Sequence, residues 1–490
     1  MRLRFLVRSN VSRSGPPVGA GANDLRALAI ACLLTLLVVL APLACPAQQA
    51  SFETLLTNGP ASNRLNVVFL SEGYTSGQLP AFLKDATNAI NALLSHEPYT
   101  EYTRYLNAFA ISVPSPQSGS DHPASGIYKN TYFNSSYDPI TDTLITIPPD
   151  AEDTNYADGQ GKVDALLQTF MPLCNLPVLL VNEPFYPGGS DGFDRTALAS
   201  VAFPMSDILT HETGHVLANL GDEYDTPYPG FPDTEEPNTT RQTNRDLVKW
   251  KAWIADDTPV PTPPTSQYAN VVGLFEGAHY HSTGWYRPQL NCLMRSYGGP
   301  FCAVCREALV LAIYGKVRPI DSFSPAQTDF SVGATQTVAF SLNVLEPLTH
   351  SLAIQWLTNA APVPGATNQS FSIPTALLNP GTNLVSATVR DTTDFVRNDP
   401  AGLLTQNVAW TLNMNQPAAS RIDSPLLLDD GQFAFRISGP ASARFTVQTS
   451  QDLTNWMLLQ AVTLADGPIW YTNAVPLDAV TRFYRIIPQP

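Results

Sequence analysis

The chain is poor in charged residues, and basic residues are the scarcer kind. Only 14% of its 490 residues are charged, and 27 Lys and Arg stand against 42 Asp and Glu, which gives a net charge of −15. Because a nucleic-acid backbone repels so acidic a protein, the composition argues against a nucleic-acid partner. Apolar residues still make up 44% of the chain, which is a normal supply for folded cores.

Long apolar runs are missing except near the start of the chain. Five arginines precede the uncharged run at residues 28–43, and Cys45-Pro46-Ala47 follows as a small-residue cleavage site. These are the parts of a secretory signal, so we predict a signal peptide over residues 1–47 and a secreted or extracytoplasmic protein. A lipoprotein modified at Cys45 and an uncleaved anchor are alternatives. After removal of the signal we expect no stable membrane insertion, because no other run is long enough to span a bilayer.

Cysteine is also scarce, with six residues, of which Cys32 and Cys45 fall in the predicted signal. The others are Cys174, Cys292, Cys302 and Cys305. An even number of cysteines in an exported chain predicts two disulfides, and three pairings are open. The Cys302-x-x-Cys305 spacing is also typical of one half of a zinc knuckle, which is the alternative interpretation.

Proline, by contrast, is abundant, with 43 residues, and this favours loops and β-rich modules over long helices. In the first part of the chain, short apolar runs alternate with helical patterns, which predicts an α/β domain over residues 51–316. The expected strands are 67–70, 109–113 and 177–181, and the expected helices are 77–95, 161–172, 206–220 and a short one near 246–254.

The pattern changes near residue 317. Short alternating segments separated by turn residues predict an immunoglobulin-like β-sandwich over 317–415. Its expected strands include 336–342, 352–356, 384–389 and 408–412. A linker beginning at Asn415-Gln416-Pro417 leads to a small β module over 418–490, with expected strands at 433–437, 445–449 and 483–487.

The segment His211-Glu212-Thr213-Gly214-His215 carries the clearest chemical signal. Helix positions i and i+4 lie on one face, so both imidazoles can bind a single metal ion. Glu212 then lies beside that ion, in the position of a general base. A chance pair of histidines facing solvent or core is disfavoured because this triple is rare in so histidine-poor a chain. We therefore predict one catalytic Zn²⁺ bound by His211 and His215.

A third protein ligand is expected soon after the second histidine. Gly221 can end the helix and let the chain turn back, and Ser206 is available as the N-cap at the other end. Asp222 and Glu223 follow Gly221 directly. Asp222 is preferred as the first carboxylate after the bend, with Glu223 as the alternative ligand or as an acceptor that orients a histidine.

Several segments together resemble a known family. They are the HExxH stretch continued by Leu220-Gly221-Asp222-Glu223-Tyr224, the run Asn66-Val67-Val68-Phe69-Leu70-Ser71-Glu72-Gly73-Tyr74, Val181-Asn182 ahead of Tyr186-Pro187-Gly188-Gly189, and Asn291-Cys292-Leu293-Met294-Arg295. This set resembles the IgA-specific zinc metallopeptidase family, a zincin group with metzincin-like features. The resemblance covers about residues 55–316.

The resemblance implies a metzincin-like catalytic domain, with zinc on His211, His215 and the Asp222 position and catalysis by Glu212. Met294 would then lie in a methionine-bearing turn beneath the zinc. The chain departs from the better-known metzincin spacing, in which the third ligand falls six residues after the second histidine, where this chain has Gly221. That departure affects the identity of the third ligand more than the prediction of a zinc site itself.

Together these features predict a secreted zinc-dependent metalloendopeptidase that acts on a protein or peptide. Two alternatives are an exported binding or adhesion protein with an inactive zincin scaffold, and a zinc hydrolase of a non-peptide bond. The candidates for stabilising the oxyanion of the reaction are Tyr297, Tyr224, His279 and His281. Trp250 and Trp253 are expected in the local core rather than on a substrate surface.

Overall fold

The computed structural model describes residues 50–140, 142–148, 159–185, 195–202, 205–414, 420–428, 431–440, 442–465, 467–474 and 481–489. The predicted signal segment, the Tyr186-Pro187-Gly188-Gly189 motif and the predicted linker lie outside these residues, so they stay predictions. None of the helices within the described ranges has the length and apolar character needed to cross a bilayer.

A five-stranded sheet forms the centre of the first region. The strands of this region are β1 (Ser51–Leu56), β2 (Leu65–Glu72), β3 (Leu106–Ser112), β4 (Ser136–Tyr137), β5 (Ile145–Thr146), β6 (Leu176–Val181), β7 (Ala197–Ser200), β8 (Phe275–Ala278) and β9 (His281–Arg287). The sheet order is β1-β3-β2-β6-β7, and only β1 is antiparallel to its neighbour. Every residue of β2, β3 and β6 is buried, as expected for parallel strands covered on both faces.

Four helices belong to this region among its described residues. They are α1 (Leu79–Leu93), α2 (Gly159–Phe170), α3 (Met205–Ala218) and α4 (Ala303–Tyr314). The first three correspond to predicted helices, and α3 contacts β7, α1 and α4. Helix α4 was not predicted, because it is apolar on most of its surface and lacks the one-sided period of an exposed helix.

The ends of helix α3 differ from the prediction. The helix ends at Ala218. The next residue, Asn219, has a left-handed φ of 51° and donates its N–H to the carbonyl oxygen of His215 at 2.9 Å. Ser206 is not the N-cap, because the helix already includes Met205. Gly221 instead lies against Glu236: a Cβ at this position would be 2.5 Å from the Glu236 carboxylate, so a larger residue would have to displace that side chain.

The expected short helix near residues 246–254 is also replaced by other structure. The chain forms two 3₁₀ turns, Arg245–Leu247 and Lys251–Trp253, separated at Val248 by extended backbone. Trp250 is buried and Trp253 packs against the same core, so the prediction that both belong to the local core is confirmed. Their indole N–H groups donate to the Gly273 carbonyl and to the Glu307 carboxylate.

The rest of the chain consists of short strands. They are β10 (Ile320–Ser324), β11 (Asp329–Val332), β12 (Thr337–Val344), β13 (Ala353–Thr358), β14 (Ala361–Pro362), β15 (Ser370–Pro374), β16 (Gly381–Arg390), β17 (Thr405–Met414), β18 (Arg421–Leu427), β19 (Gln432–Ser438), β20 (Arg444–Ser450), β21 (Met457–Thr463), β22 (Ile469–Ala474) and β23 (Phe483–Gln489). The chain is therefore β-rich, with few helices in the part that the structure describes.

These strands form small sheets that enclose two separate cores. Sheets β10-β12-β15 and β11-β17-β16-β13-β14 enclose a core centred on Trp356 and Trp410. Sheets β18-β19-β22 and β21-β20-β23 enclose a smaller core that includes Phe435 and Phe445. Strand β12 alternates strictly between exposed and buried residues along most of its length, which is the period of a strand with one face in a core.

A polar network joins the first region to the strands that follow. Tyr102 and Tyr314 both donate their hydroxyl groups to Asp391, at 2.8 and 2.6 Å. His350 lies between Glu101 and Asp391, with ring nitrogens 2.8 and 2.7 Å from the two carboxylates. Residues Ser51–Pro490 accordingly group as one compact unit. The predicted domain boundaries inside that unit stay predictions.

Candidate metal centre

Helix α3 carries both histidines of the HExxH segment on one face. The Nε2 atoms of His211 and His215 lie 3.1 Å apart. Asp222, which follows the end of the helix, places its Oδ1 atom 3.0 Å from the first Nε2 and 3.6 Å from the second. Three potential ligand atoms therefore converge on one point.

The outward nitrogen of each ring is held by a main-chain carbonyl. The Nδ1 of His211 lies 3.0 Å from the oxygen of Leu293, and the Nδ1 of His215 lies 2.6 Å from the oxygen of Leu220. A carbonyl oxygen only accepts hydrogen bonds, so each Nδ1 donates its hydrogen. The lone pair of each neutral ring is then on Nε2, which faces the point of convergence.

Asp222 is held so that one carboxylate oxygen is left for a cation. Its Oδ2 accepts a hydrogen bond of 2.6 Å from the hydroxyl of Tyr280. Its Oδ1 is buried and, apart from the two histidine nitrogens, has no partner among the described residues. A buried carboxylate oxygen without a donor is unfavourable unless a cation or proton compensates it, so the donor set fits a bound metal ion.

Glu223, the alternative ligand, points in another direction. Its Oε1 accepts a hydrogen bond of 3.0 Å from the side-chain amide of Asn238 and lies 3.6 Å from the sulfur of Cys305. The structure thus brings Asp222 to the two histidines and places Glu223 in a separate cluster.

The electrostatics of the site favour a positive charge between these groups. Burial lowers the pKa of His211, but contact with the Asp222 carboxylate and the nearby charge of Glu212 outweigh burial and raise that pKa to about 9. Burial raises the pKa of Asp222, but His215 and His211 outweigh it and hold that pKa below its usual value. A proton and a metal ion compete for the same site, so metal affinity should fall as the pH falls.

Glu212 is buried inside the site, next to His211 on helix α3, with 2% of its surface exposed. Burial raises the pKa of Tyr224 and of Tyr280, and the charges of Asp222 and Glu212 raise both further. Both phenols therefore stay protonated at neutral pH, and the Tyr280 hydroxyl donates its hydrogen to Asp222.

Two of the four candidates for oxyanion stabilisation border the histidines. The rings of Tyr224 and Tyr297 lie 6.2 and 5.7 Å from the ring of His211, and a hydrogen bond links the two tyrosines. His279 and His281 instead stack with Trp285, at ring distances of 3.9 and 5.6 Å. The tyrosines are therefore the candidates that the fold places at the site.

Met294 lies directly beneath helix α3. It is fully buried, and a Cβ on Gly214 would lie 3.1 Å from Leu220 and 3.2 Å from the Met294 sulfur, so a larger residue between the two histidines would crowd both side chains. Its carbonyl oxygen accepts a hydrogen bond of 2.9 Å from the N–H of Glu223. The turn containing Met294 thus contacts both the helix and the chain that carries Asp222.

Tyr280 is a site residue that the sequence analysis missed. It occupies a tight turn between β8 and β9, where His279 and Tyr280 both have left-handed φ angles, of 55° and 57°. Such a turn normally requires asparagine or glycine, so two bulky residues there are strained. This strained hairpin positions the Tyr280 hydroxyl at Asp222, and no pattern in the sequence indicated it.

The predicted disulfides are absent from the described part of the chain. Cys174, Cys292, Cys302 and Cys305 are all free. The Cys302 and Cys305 sulfurs are 3.4 Å apart and those of Cys292 and Cys305 are 3.6 Å apart, well beyond a disulfide length of about 2.05 Å. Cys174 lies elsewhere, between α2 and β6, where burial raises its pKa to about 12. The prediction was wrong because three cysteines meet at one point instead of forming two pairs.

Comparison with known families supports this picture of the site. Residues 54–267 and 264–313 match the model of the IgA Peptidase M64 family, and together they span more than half of the chain. The chain belongs to the IgA Peptidase M64 family. Membership of the M64 family indicates a metal-dependent peptidase, so the substrate is a protein or a peptide. The matched residues include all three convergent side chains and the Met294 turn.

Comparison with individual proteins adds little beyond the M64 match. No curated relative matches the chain. Among solved structures, a cytokine receptor complex (crystal form 2) is 16% identical over 31% of this chain and 84% of its own, with a TM-score of 0.12. The apo structure of Bacteroides uniformis beta-glucuronidase 3 is 9% identical over 42% of this chain and 28% of its own, with a TM-score of 0.13. Likenesses this distant carry no argument about fold or function.

Proposed function

We propose that this chain is a secreted, zinc-dependent metalloendopeptidase in which Glu212 is the general base. The observation that carries the proposal is the convergence of His211 Nε2, His215 Nε2 and Asp222 Oδ1, with the opposite nitrogen of each ring held by a carbonyl. Two imidazoles and one carboxylate are a donor set typical of catalytic zinc sites, which take three protein ligands and leave a fourth position open.

The spacing of the three donor atoms supports zinc as the ion. With metal–ligand distances of about 2.0 Å and tetrahedral angles, neighbouring ligand atoms lie roughly 3.3 Å apart. The three distances in this site are 3.0, 3.1 and 3.6 Å. Nitrogen-rich donor sets of this kind favour zinc over magnesium or calcium, which prefer oxygen ligands.

The protein's own groups account for the remaining steps of peptide hydrolysis. A zinc ion, when bound, supplies Lewis-acid activation of the scissile carbonyl and of a water molecule. The Glu212 carboxylate accepts a proton from that water and then donates it to the leaving amine. The hydroxyl groups of Tyr224 and Tyr297, which stay beside His211, are proposed to donate hydrogen bonds to the developing oxyanion.

We also propose a fold type for each of the first two regions of the chain and a route of export. The mixed sheet and the helices of residues 51–316 are proposed to form a metzincin-like α/β catalytic domain. The two sheets that enclose Trp356 and Trp410 are proposed to form an immunoglobulin-like sandwich. The arginine-rich start, the apolar run at 28–43 and the small-residue site after it support export from the cytoplasm by a cleaved signal.

The test compares the full-length wild type with Glu212→Gln, which keeps the shape of the side chain but cannot accept a proton. Both proteins are measured for metal content and for cleavage of casein, a peptide library and immunoglobulin A. The matched control is Glu276→Gln, which makes the same chemical change at an exposed position of strand β8.

We expect zinc in all three proteins, cleavage by the wild type and by Glu276→Gln, and a loss of at least roughly 100-fold in Glu212→Gln. A zinc-loaded wild type that cleaves none of the substrates would contradict the peptidase proposal and favour a scaffold or a non-peptide hydrolase. A wild type without metal at the histidines would rule out every catalytic version.

A further inference from the structure

A second group of potential metal ligands lies beside the first. The sulfur atoms of Cys292, Cys302 and Cys305 and the carboxylate of Glu223 lie within 4.8 Å of one another. All four side chains are buried, with at most 3% of any residue exposed. None of these residues is among the three ligands proposed for the catalytic zinc.

The distances within this group match a tetrahedral thiolate site. With Zn–S distances of about 2.3 Å, neighbouring sulfurs of such a site lie roughly 3.8 Å apart, and a sulfur and a carboxylate oxygen roughly 3.5 Å apart. The sulfur of Cys305 lies 3.6 Å from that of Cys292, 3.4 Å from that of Cys302 and 3.6 Å from Glu223 Oε1. One central ion therefore fits with shifts of a few tenths of an ångström.

Main-chain N–H groups point at the sulfurs, as they do around metal-bound thiolates. The N–H of Cys302 donates to the sulfur of Cys292 at 3.3 Å. The N–H of Cys305 donates to the sulfur of Cys302, which is the N-cap of helix α4. Donors at a helix N-terminus stabilise negative charge on sulfur, and thiolate is the form that binds metal.

Glu223 provides independent support for a cation at this cluster. Its residue is fully buried, and its Oε2 atom has no hydrogen-bond partner among the described residues. The guanidinium of Arg287 is also buried and interacts electrostatically with both Glu223 and Cys292. Metal binding would turn the three cysteines into thiolates, and one arginine does not balance these and the carboxylate, whereas an added divalent cation brings the group much closer to neutrality.

We propose that Cys292, Cys302, Cys305 and Glu223 bind a second zinc ion, which is structural. Four protein ligands in a closed, buried site leave no position for water or substrate, which is the mark of a structural zinc site. The inference does not depend on the proposed peptidase activity, since the two sites share no ligand.

The position of this ion gives it a clear structural role. Glu223 directly follows Asp222, Cys292 precedes the Met294 turn, and the other two cysteines begin helix α4. The ion would therefore join three segments that surround the catalytic site. Through Leu293, whose carbonyl orients His211, and through Asp222, the buried zinc would position two ligands of the catalytic zinc.

The test uses full-length protein in which His211 and His215 are both changed to Ala, so that zinc at the catalytic site is removed. Zinc content and X-ray absorption at the zinc edge are measured on this double variant. We expect about one zinc per chain, with sulfur ligands at about 2.3 Å. Adding Cys305→Ser should abolish that zinc, whereas adding Cys174→Ser, a cysteine outside the cluster, should not.

The outcomes separate the two sites. A double variant that folds without sulfur-bound zinc, or a disulfide between any two of the three clustered cysteines in the freshly purified protein, would overturn the inference. If Cys305→Ser does not fold, the sulfur-ligated zinc in the double histidine variant still decides the question. A wild type with sulfur-bound zinc but without nitrogen-bound zinc would support the structural site and contradict the proposed catalytic one.

Discussion

The two candidate metal sites differ in a way that begins at two consecutive residues. Asp222 turns toward the histidines of helix α3, and Glu223 turns toward three cysteines. The side chains of His215 and Asp222 keep 12% and 14% of their surface exposed, while Glu223 and Cys305 have none exposed. The site of His211, His215 and Asp222, called the open site below, is therefore reachable from solvent. The site of Glu223 and the three cysteines, called the closed site, is not.

This difference suits the two sites to the separate tasks proposed for them. Three ligands at a partly exposed position would leave room for water and substrate, as chemistry requires. Four ligands in the core would hold segments of the chain together and exclude both. Because Asp222 and Glu223 are adjacent in the chain, the two proposed sites share one stretch of backbone.

The sharpest way to test this comparison is Asp222→Asn, set beside Glu223→Gln. Asp222→Asn should reduce peptidase activity by more than roughly 100-fold, since loss of a ligand's charge should exceed the 10- to 100-fold effect typical of an outer-shell partner. Glu223→Gln should keep nitrogen-bound zinc and lose thermal stability instead. Activity assays, zinc content and calorimetry report these effects. Equal loss of nitrogen-bound zinc in both variants would erase the distinction between the sites.

The clustered cysteines should contribute more to the stability of the fold than the isolated Cys174 does. Cys305→Ser should lower the free energy of unfolding by at least about 3 kcal/mol, because binding energy of a structural metal is also folding energy. Cys174→Ser should change it by no more than about 1 kcal/mol. Denaturant unfolding monitored by circular dichroism would measure both. Similar values for the two variants would show that the cysteine cluster contributes nothing beyond ordinary packing.

Tyr280→Phe should weaken zinc binding at the open site without abolishing it. The variant removes the hydroxyl that donates to Asp222 Oδ2 at 2.6 Å, so the carboxylate loses the group that orients it. We expect roughly 10- to 100-fold weaker zinc binding at the histidines, measured by competition with a chelator. Tyr286→Phe, on the same hairpin, is the control, and the closed site should keep its zinc in both. An unchanged affinity would show that Tyr280 does not position Asp222.

The smallest expected effect lies away from both sites, at His350. Burial lowers the pKa of His350, but hydrogen bonds to Asp391 and Glu101 and their charges outweigh burial and raise that pKa. Because the folded pKa exceeds the unfolded value of about 6.5, this stabilisation is complete below about pH 6.5 and is lost as the pH rises through the folded pKa. His350→Gln should remove that decline, which amounts to about 1 kcal/mol.

Denaturant unfolding of the wild type and His350→Gln at several pH values would measure this difference. His281→Gln is the control, because the ring of His281 contacts a main-chain carbonyl oxygen, that of His279, rather than a pair of carboxylates. If the free energy of unfolding changed with pH in the same way in the wild type and in His350→Gln, the role assigned to His350 would be contradicted. A change in metal content in His350→Gln would also contradict the expectation that the network of His350, Glu101 and Asp391 is independent of the two metal sites.

Much of the fold followed from local patterns. Strands β2 and β6 contain the predicted apolar runs 67–70 and 177–181, and β3 contains the run 109–113 except for its last residue. Helices α1, α2 and α3 contain most of the predicted helical segments. Errors occurred where the signal was not periodic. Helix α4 is apolar almost all round, and the end of α3 depends on the left-handed conformation of Asn219 rather than on a glycine.

The pairing of His211 with His215 was determined by sequence alone, because a spacing of four residues on one helix places two side chains together whatever surrounds them. Family membership was likewise readable from short motifs along the chain. The choice between Asp222 and Glu223, the approach of Tyr280 and the gathering of three cysteines were decided only by the tertiary structure. These contacts join residues that are separated in the chain. Their geometry depends on how the β8–β9 hairpin, the Met294 turn and helix α4 pack around one core.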